Sequence, residues 1–194
     1  MDVKTEKLII LVDMDNTICD LDGALISALS QLSQATPAPG PVVDWQALIR
    51  QRSHFELDSK TDELAREIML KPGFFANLDP MEGAVGALLE LEKRGYHVVL
   101  CTSAIRESEH CVADKCAWVR RHLGPRWDRE KLTISKDKTL IRGKILIDDR
   151  PEQPGCLVPS WQHVVYHQSY NSQVEGKPRL RSWQDALVMF PKRV

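Results

Sequence analysis

An apolar run, Leu8-Ile9-Ile10-Leu11-Val12, stops abruptly at Asp13-Met14-Asp15-Asn16-Thr17. No polar position interrupts the run, so it predicts a strand buried on both faces, as in a parallel sheet covered by two layers. A strand of that kind places whatever follows it rigidly. Two carboxylates follow in D-x-D spacing, and an extended pair at that spacing projects both side chains roughly the same way. Like charges this close repel and shift each other's protonation unless a cation or a chemical task holds them together. Mg²⁺ commonly takes one or two carboxylates together with phosphate oxygens and would resolve that conflict. The plainer alternative is a capped turn after a core strand, because Asp and Asn favour turns and helix N-caps.

Three further positions carry complementary chemistry. The apolar stretch Tyr96-His97-Val98-Val99-Leu100-Cys101 ends in Thr102-Ser103; Lys138 follows the stretch Leu132-Thr133-Ile134-Ser135; and Lys144-Ile145-Leu146-Ile147 ends in the acid pair Asp148-Asp149. In an open parallel sheet, ligands bind at the carboxyl ends of the strands, so these sets can converge on one crevice. Taken singly, each has a plainer explanation: Thr102 as an ordinary polar strand end, Lys138 as a surface lysine.

In this order, D-x-D-x-T, hydrophobic-Thr, Lys and DD resemble the haloacid-dehalogenase-like phosphohydrolases. The words around the motifs narrow the likeness. Asp13-Met14-Asp15, Pro72-Gly73-Phe74-Phe75, Cys101-Thr102-Ser103, His122-Leu123-Gly124-Pro125, Asp137-Lys138-Thr139, Leu146-Ile147-Asp148-Asp149-Arg150 and Pro159-Ser160-Trp161 resemble the 5'(3')-deoxyribonucleotidases. The resemblance implies an Mg²⁺-dependent phosphomonoesterase acting on 5'-(deoxy)ribonucleoside monophosphates through an aspartyl-phosphate. It implies Asp13 as nucleophile, Asp15 as general acid, and Thr102, Ser103 and Lys138 as phosphate ligands. Asp13, Asp149 and the main-chain carbonyl of Asp15 would hold the metal, with Asp148 supporting. A homodimer is also implied by likeness alone.

The resemblance thins where a nucleobase would stack. Leu21 and Met69 stand where aromatic residues are expected, and Asn16-Thr17 replaces a smaller pair. Leu21, Met69 and Phe55 are the candidate base-binding residues, with Trp45 and His54 as further candidates and Lys136 as a second basic contact. Two other functions remain open at this point. One is a related phosphatase for another small phosphomonoester, such as a sugar phosphate. The other is a non-catalytic phosphate-binding module, against which the presence of both Asp13 and Asp15 argues.

Bulk properties exclude several classes. A formal net charge of -1 offers no electrostatic case for a nucleic-acid polymer or a membrane surface. No apolar run approaches the roughly 20 residues of a membrane helix, and Met1–Lys7 lacks the pattern of a signal or transit peptide. Five cysteines at irregular spacing suit free thiols in a reducing cytoplasm.

Spacing sets the expected architecture. The stretch between Asp13 and Thr102 far exceeds one crossover, whereas that between Thr102 and Lys138 has room only for a helix, near Cys111–His122, and a strand. Helices are predicted over Ile18–Ser33, Trp45–Gln51 (capped by Asp44), Asp62–Leu70, Glu82–Arg94 and Trp183–Phe190, with the breaker Thr36-Pro37-Ala38-Pro39-Gly40-Pro41 after the first. The expected fold is α/β: a doubly wound, mainly parallel Rossmann-like sheet with a small helical cap inserted after the first strand. Residues 1–19 and 76–194 form the expected core, and residues 20–75 the cap.

Overall fold

A single all-parallel sheet organises the chain, with strand order β3-β2-β1-β4-β5-β6. The strands are β1 (Ile9–Val12), β2 (His97–Thr102), β3 (Leu132–Ile134), β4 (Ile145–Asp148), β5 (Gln162–Tyr166) and β6 (Arg179–Leu180). This computed structural model describes residues 8–35, 43–51 and 59–192. Strand order reverses beside β1: successive strands add on one side as far as β3, and β4 then returns to the other side. Such a switch point opens a crevice at the carboxyl ends of the central strands.

Seven α-helices are present among the described residues: α1 (Leu21–Ala35), α2 (Trp45–Gln51), α3 (Ser59–Met69), α4 (Ala84–Lys93), α5 (Cys111–His122), α6 (Pro125–Glu130) and α7 (Trp183–Met189). The first starts three residues later than its apolar periodicity predicts. The reason is a tight loop in which the carbonyl of Met14 accepts from the N–H groups of Thr17, Ile18 and Cys19. Asn16 there takes a left-handed φ of 53°, which Asn tolerates better than most side chains. The Asp20 carboxylate then accepts from the N–H of Gly23 at 2.9 Å, capping α1. Asp44 caps α2 as expected, accepting from the N–H of Ala47. Two elements escaped the sequence pattern, α6 and the two-residue β6, because both are too short to show periodicity.

β1 is buried on both sides, as its unbroken apolar run predicts. Ile10 and Val12 join the large core with Leu25 and Leu29 of α1, Leu88 of α4, Trp118 of α5 and Trp183 of α7. Leu11 faces the other way, into a smaller cluster with Cys101, Leu146 and Trp161, against which Ile9, Val99 and Ile141 pack. Among the described residues no α-helix contributes to that second cluster; the connections β3→β4 and β4→β5, which form no α-helix, supply Ile141 and Trp161 to it. Burying a leucine such as Leu29 stabilises the fold by about 1.5–3 kcal/mol. No helix among the described residues is long and apolar enough to cross a membrane.

Candidate active site

Register brings the acidic residues together. Val12 lies opposite Ile147, and the N–H of Asp13 continues the ladder to the Ile147 carbonyl at 2.9 Å. Asp13 and Asp148 therefore leave neighbouring strands at the same level. Carboxylate oxygens of Asp13, Asp148 and Asp149 lie within 4.8 Å of one another, and all three residues are buried. Lys138 stands among them, its Nζ donating to Asp13 Oδ1 at 2.6 Å and to Asp148 Oδ2 at 2.5 Å.

Lys138 does not directly end a strand, as the spacing suggested. It opens a 3-10 turn, Lys138–Leu140, capped by Asp137. One Asp137 oxygen accepts from the hydroxyl and N–H of Thr139, the other from the N–H of Cys156. These donors, the Thr139 hydroxyl foremost, hold the Asp137 carboxyl down at about 2. A Cβ on Gly155 would lie 2.2 Å from the same carboxylate, so only glycine lets the two loops meet this closely. The Lys138 carbonyl accepts from Trp161 Nε1, which completes the fixing of the ammonium.

Three carboxylates and one ammonium leave this cluster short of positive charge. Burial first, and then the neighbouring carboxylates, push Asp149 well above the usual carboxylate range. Burial likewise pushes Asp148 up to about 6, against the pull of Lys138. The charge of Lys138 is disfavoured by burial, but the carboxylates of Asp13 and Asp148 outweigh this and hold it above the ordinary lysine range. A hard divalent cation fits the oxygen-only donor set and would neutralise the surplus charge.

Asp148 and Asp149 are held differently. Asp148 is fully buried, with one oxygen on Lys138 and the other on the N–H of Arg150. Asp149 takes a hydroxyl on each oxygen, from Thr17 at 3.1 Å and from Tyr170, and it lines the open cleft.

Asp15 lies beside the cluster and answers to a residue that sequence reasoning passed over. Lys115 of α5 is 1% exposed, and its Nζ donates to Asp15 Oδ2 at 2.6 Å and to the Thr102 hydroxyl at 2.8 Å. It also sits 5.1 Å from the centroid of the Phe75 ring. Burial opposes its charge, but the carboxylates of Asp15 and Asp13 outweigh that and hold the ammonium above the ordinary lysine range. A trace of this was in the sequence. Cys111, Lys115, Trp118 and Val119 recur at i, i+4, i+7 and i+8 and form the buried stripe of α5. The other Asp15 oxygen, Oδ1, is buried without a hydrogen-bond partner.

Above this floor opens a cleft of about 520 Å³. Asp13, Asp15, Ser103, Lys138 and Asp149 line it, as do the candidate base contacts Leu21 and Met69 and the basic Lys136. Thr102 lies beneath, fully buried. Phe55 and His54 fall outside the described residues. Trp45 instead donates to Ser33 at 2.9 Å and packs beside the core. Phe75, part of the family-like stretch Pro72-Gly73-Phe74-Phe75, and Gln153, which the sequence did not single out, join the lining. Gln153 Nε2 is buried with no acceptor. The apolar wall with cations and carboxylates at its base can seat a small phosphate ester carrying a flat or apolar group.

A family model described as 5' nucleotidase, deoxy (pyrimidine), cytosolic type C protein matches residues 7–193. A relative from Bordetella pertussis is 36% identical over 186 residues, covering 93% of this chain and 96% of its own. The human 5'(3')-deoxyribonucleotidase, cytosolic type, is 30% identical over 91% of this chain and 89% of its own. Among solved structures, a HAD family hydrolase from Deinococcus radiodurans with bound phosphate and sodium matches at a TM-score of 0.58, covering 94% of both chains at 13% identity. That last likeness is one of fold.

Proposed function

The chain belongs to the cytosolic type C family of deoxy (pyrimidine) 5' nucleotidases, which are phosphoric monoester hydrolases, and on that premise we propose that it hydrolyses 5'-(deoxy)ribonucleoside monophosphates through an aspartyl-phosphate on Asp13. The observation that carries this reading is the pairing of Asp13 with Lys138 on the cleft floor, beside Asp149 and within reach of Asp15. A buried carboxylate held by an ammonium is a fixed nucleophile rather than a hydrated one.

In this mechanism Asp13 attacks phosphorus and the ester oxygen leaves, forming the acyl phosphate and splitting one hard step into two. Asp15 gives its proton to the departing alkoxide and then takes one from the water that hydrolyses the intermediate. Lys115 holds Asp15 in place for both transfers. Lys138 and Ser103 neutralise and orient the phosphoryl oxygens as charge moves onto them. Thr102, whose hydroxyl accepts from the same Lys115 ammonium, helps to fix it. Asp13, Asp149 and the Asp15 carbonyl would hold Mg²⁺, which supplies charge neutralisation at the phosphoryl group. Residues 20–75 act as a cap over a core of 1–19 and 76–194. From it Leu21 and Met69 supply an aliphatic wall for the base, at the positions where the resemblance implies aromatic residues. The five unpaired thiols fit a cytoplasmic setting.

Phosphate release from 5'- and 3'-mononucleotides, ribo and deoxy, and from sugar phosphates, with Mg²⁺ or excess chelator, tests the proposal. Turnover of 5'-mononucleotides that disappears in chelator is the expected result. Release from sugar phosphates alone would overturn the substrate, and full turnover in chelator the metal.

A further inference from the structure

Asp149 is gripped by one short turn at two levels. Within the 3-10 turn Ser169–Asn171, fully buried Asn171 donates from Nδ2 to the Asp149 carbonyl at 2.7 Å and to the Tyr166 carbonyl at 2.8 Å. The next residue back, Tyr170, donates its hydroxyl to the Asp149 carboxylate. One residue therefore fixes the main chain of Asp149 and its neighbour fixes the side chain.

The turn is itself anchored on all sides. Gln168 and Asn171 cap each other reciprocally. Arg179 donates to the Asn171 side chain at 2.7 Å and to the carbonyls of Asn171 and Val174 at 2.9 and 3.0 Å. Gln168 Nε2 donates to the Asn16 carbonyl at 2.6 Å, tying the turn to the loop that carries Asp13 and Asp15. The Ser169 hydroxyl donates to the Arg50 carbonyl near the end of α2.

We propose that this turn is a dedicated seat for Asp149, and that Tyr170 is a positioning residue that aims one carboxylate at the cation. The inference rests on Asp149 being a cation ligand, as in the function proposed above. Each Asp149 oxygen already accepts one hydroxyl, from Tyr170 or from Thr17. The carboxylate cannot rotate without breaking one of them, so its remaining lone pairs keep a single direction. Partners outside the ligand set that orient a metal ligand in this way typically govern affinity by about 10–100-fold.

Mn²⁺ binding to the substrate-free protein, followed by electron paramagnetic resonance, tests this in wild type, Tyr170→Phe and Asp149→Asn. Tyr170→Phe deletes a single oxygen and leaves the other anchors in place, so its Tm without metal should fall by only a few degrees while its Mn²⁺ Kd rises about tenfold or more. Thr17→Val withdraws the opposite hydroxyl from outside the turn and should weaken binding in the same direction, which keeps the idea testable if Tyr170→Phe disturbs the fold. Ion binding lost in Asp149→Asn but equal in wild type, Tyr170→Phe and Thr17→Val would overturn the positioning role alone. Equal binding by wild type and Asp149→Asn would instead overturn the ligand reading beneath it.

Discussion

Lys115→Met probes the buried cation on which the Asp15 assignment depends. The side chains of Lys115 and Asp15 are 1% and 24% exposed. Removing one member of a buried ion pair typically costs about 3–5 kcal/mol, because the other is left uncompensated. Asp15 keeps some access to water, which favours the lower end of that range. Thr102 also loses its donor, adding about 1 kcal/mol. A loss of about 4 kcal/mol follows, and at roughly 2–4 °C per kcal/mol for a chain of this size Tm should drop by about 8–16 °C. Replacing both charges in Lys115→Met with Asp15→Leu removes the stranded carboxylate and should recover most of that loss. Urea denaturation of the four proteins in the cycle measures the coupling, expected at about 2–3 kcal/mol. Turnover of Lys115→Met should fall about 100-fold, the usual cost of a misplaced catalytic group. Strictly additive losses across the cycle, or a single variant as stable as wild type, would refute the structural role of Lys115.

Other consequences can be checked singly. Asp13→Asn should lose turnover by about three orders of magnitude or more with its circular dichroism unchanged, since it removes the nucleophile at nearly constant volume; near-normal turnover would rule out Asp13. Gln153→Leu removes an unpaired donor from the cleft wall and should raise KM for mononucleotides several-fold while leaving Tm unchanged or higher. His163 is held neutral, its pKa lowered by burial to about 4 from 6.5. Because the unfolded chain takes up that proton first, the protein should lose up to about 3 kcal/mol as pH falls from 6.5 to 4. His163→Gln should flatten that part of the stability profile, and an unchanged slope would discount the histidine.

Much of this protein could be read directly from the chain. An unbroken apolar run ending in two carboxylates already specifies a buried strand with a fixed, charged end, since that pattern depends only on local periodicity and on the cost of burying polar groups. The same reasoning located β2 and β4, most helices, and the residues Asp13, Asp15, Thr102, Lys138 and Asp149 that meet around the cleft floor. What lay beyond reach depends on pairings between distant segments. Lys115 becomes a buried partner of Asp15, 100 residues away, only when α5 packs beside the ends of β1 and β2. Alone, it is one lysine among many on an amphipathic helix. The different bonding of Asp148 and Asp149 is likewise tertiary. Their carboxylates meet in the same cluster, and only the folded chain sets Lys138 against one and Tyr170 against the other. Local sequence encodes which chemistry stands at each strand end. Charge balance and hydrogen bonding inside the site are properties of atoms brought together from afar, and these only the tertiary structure decided.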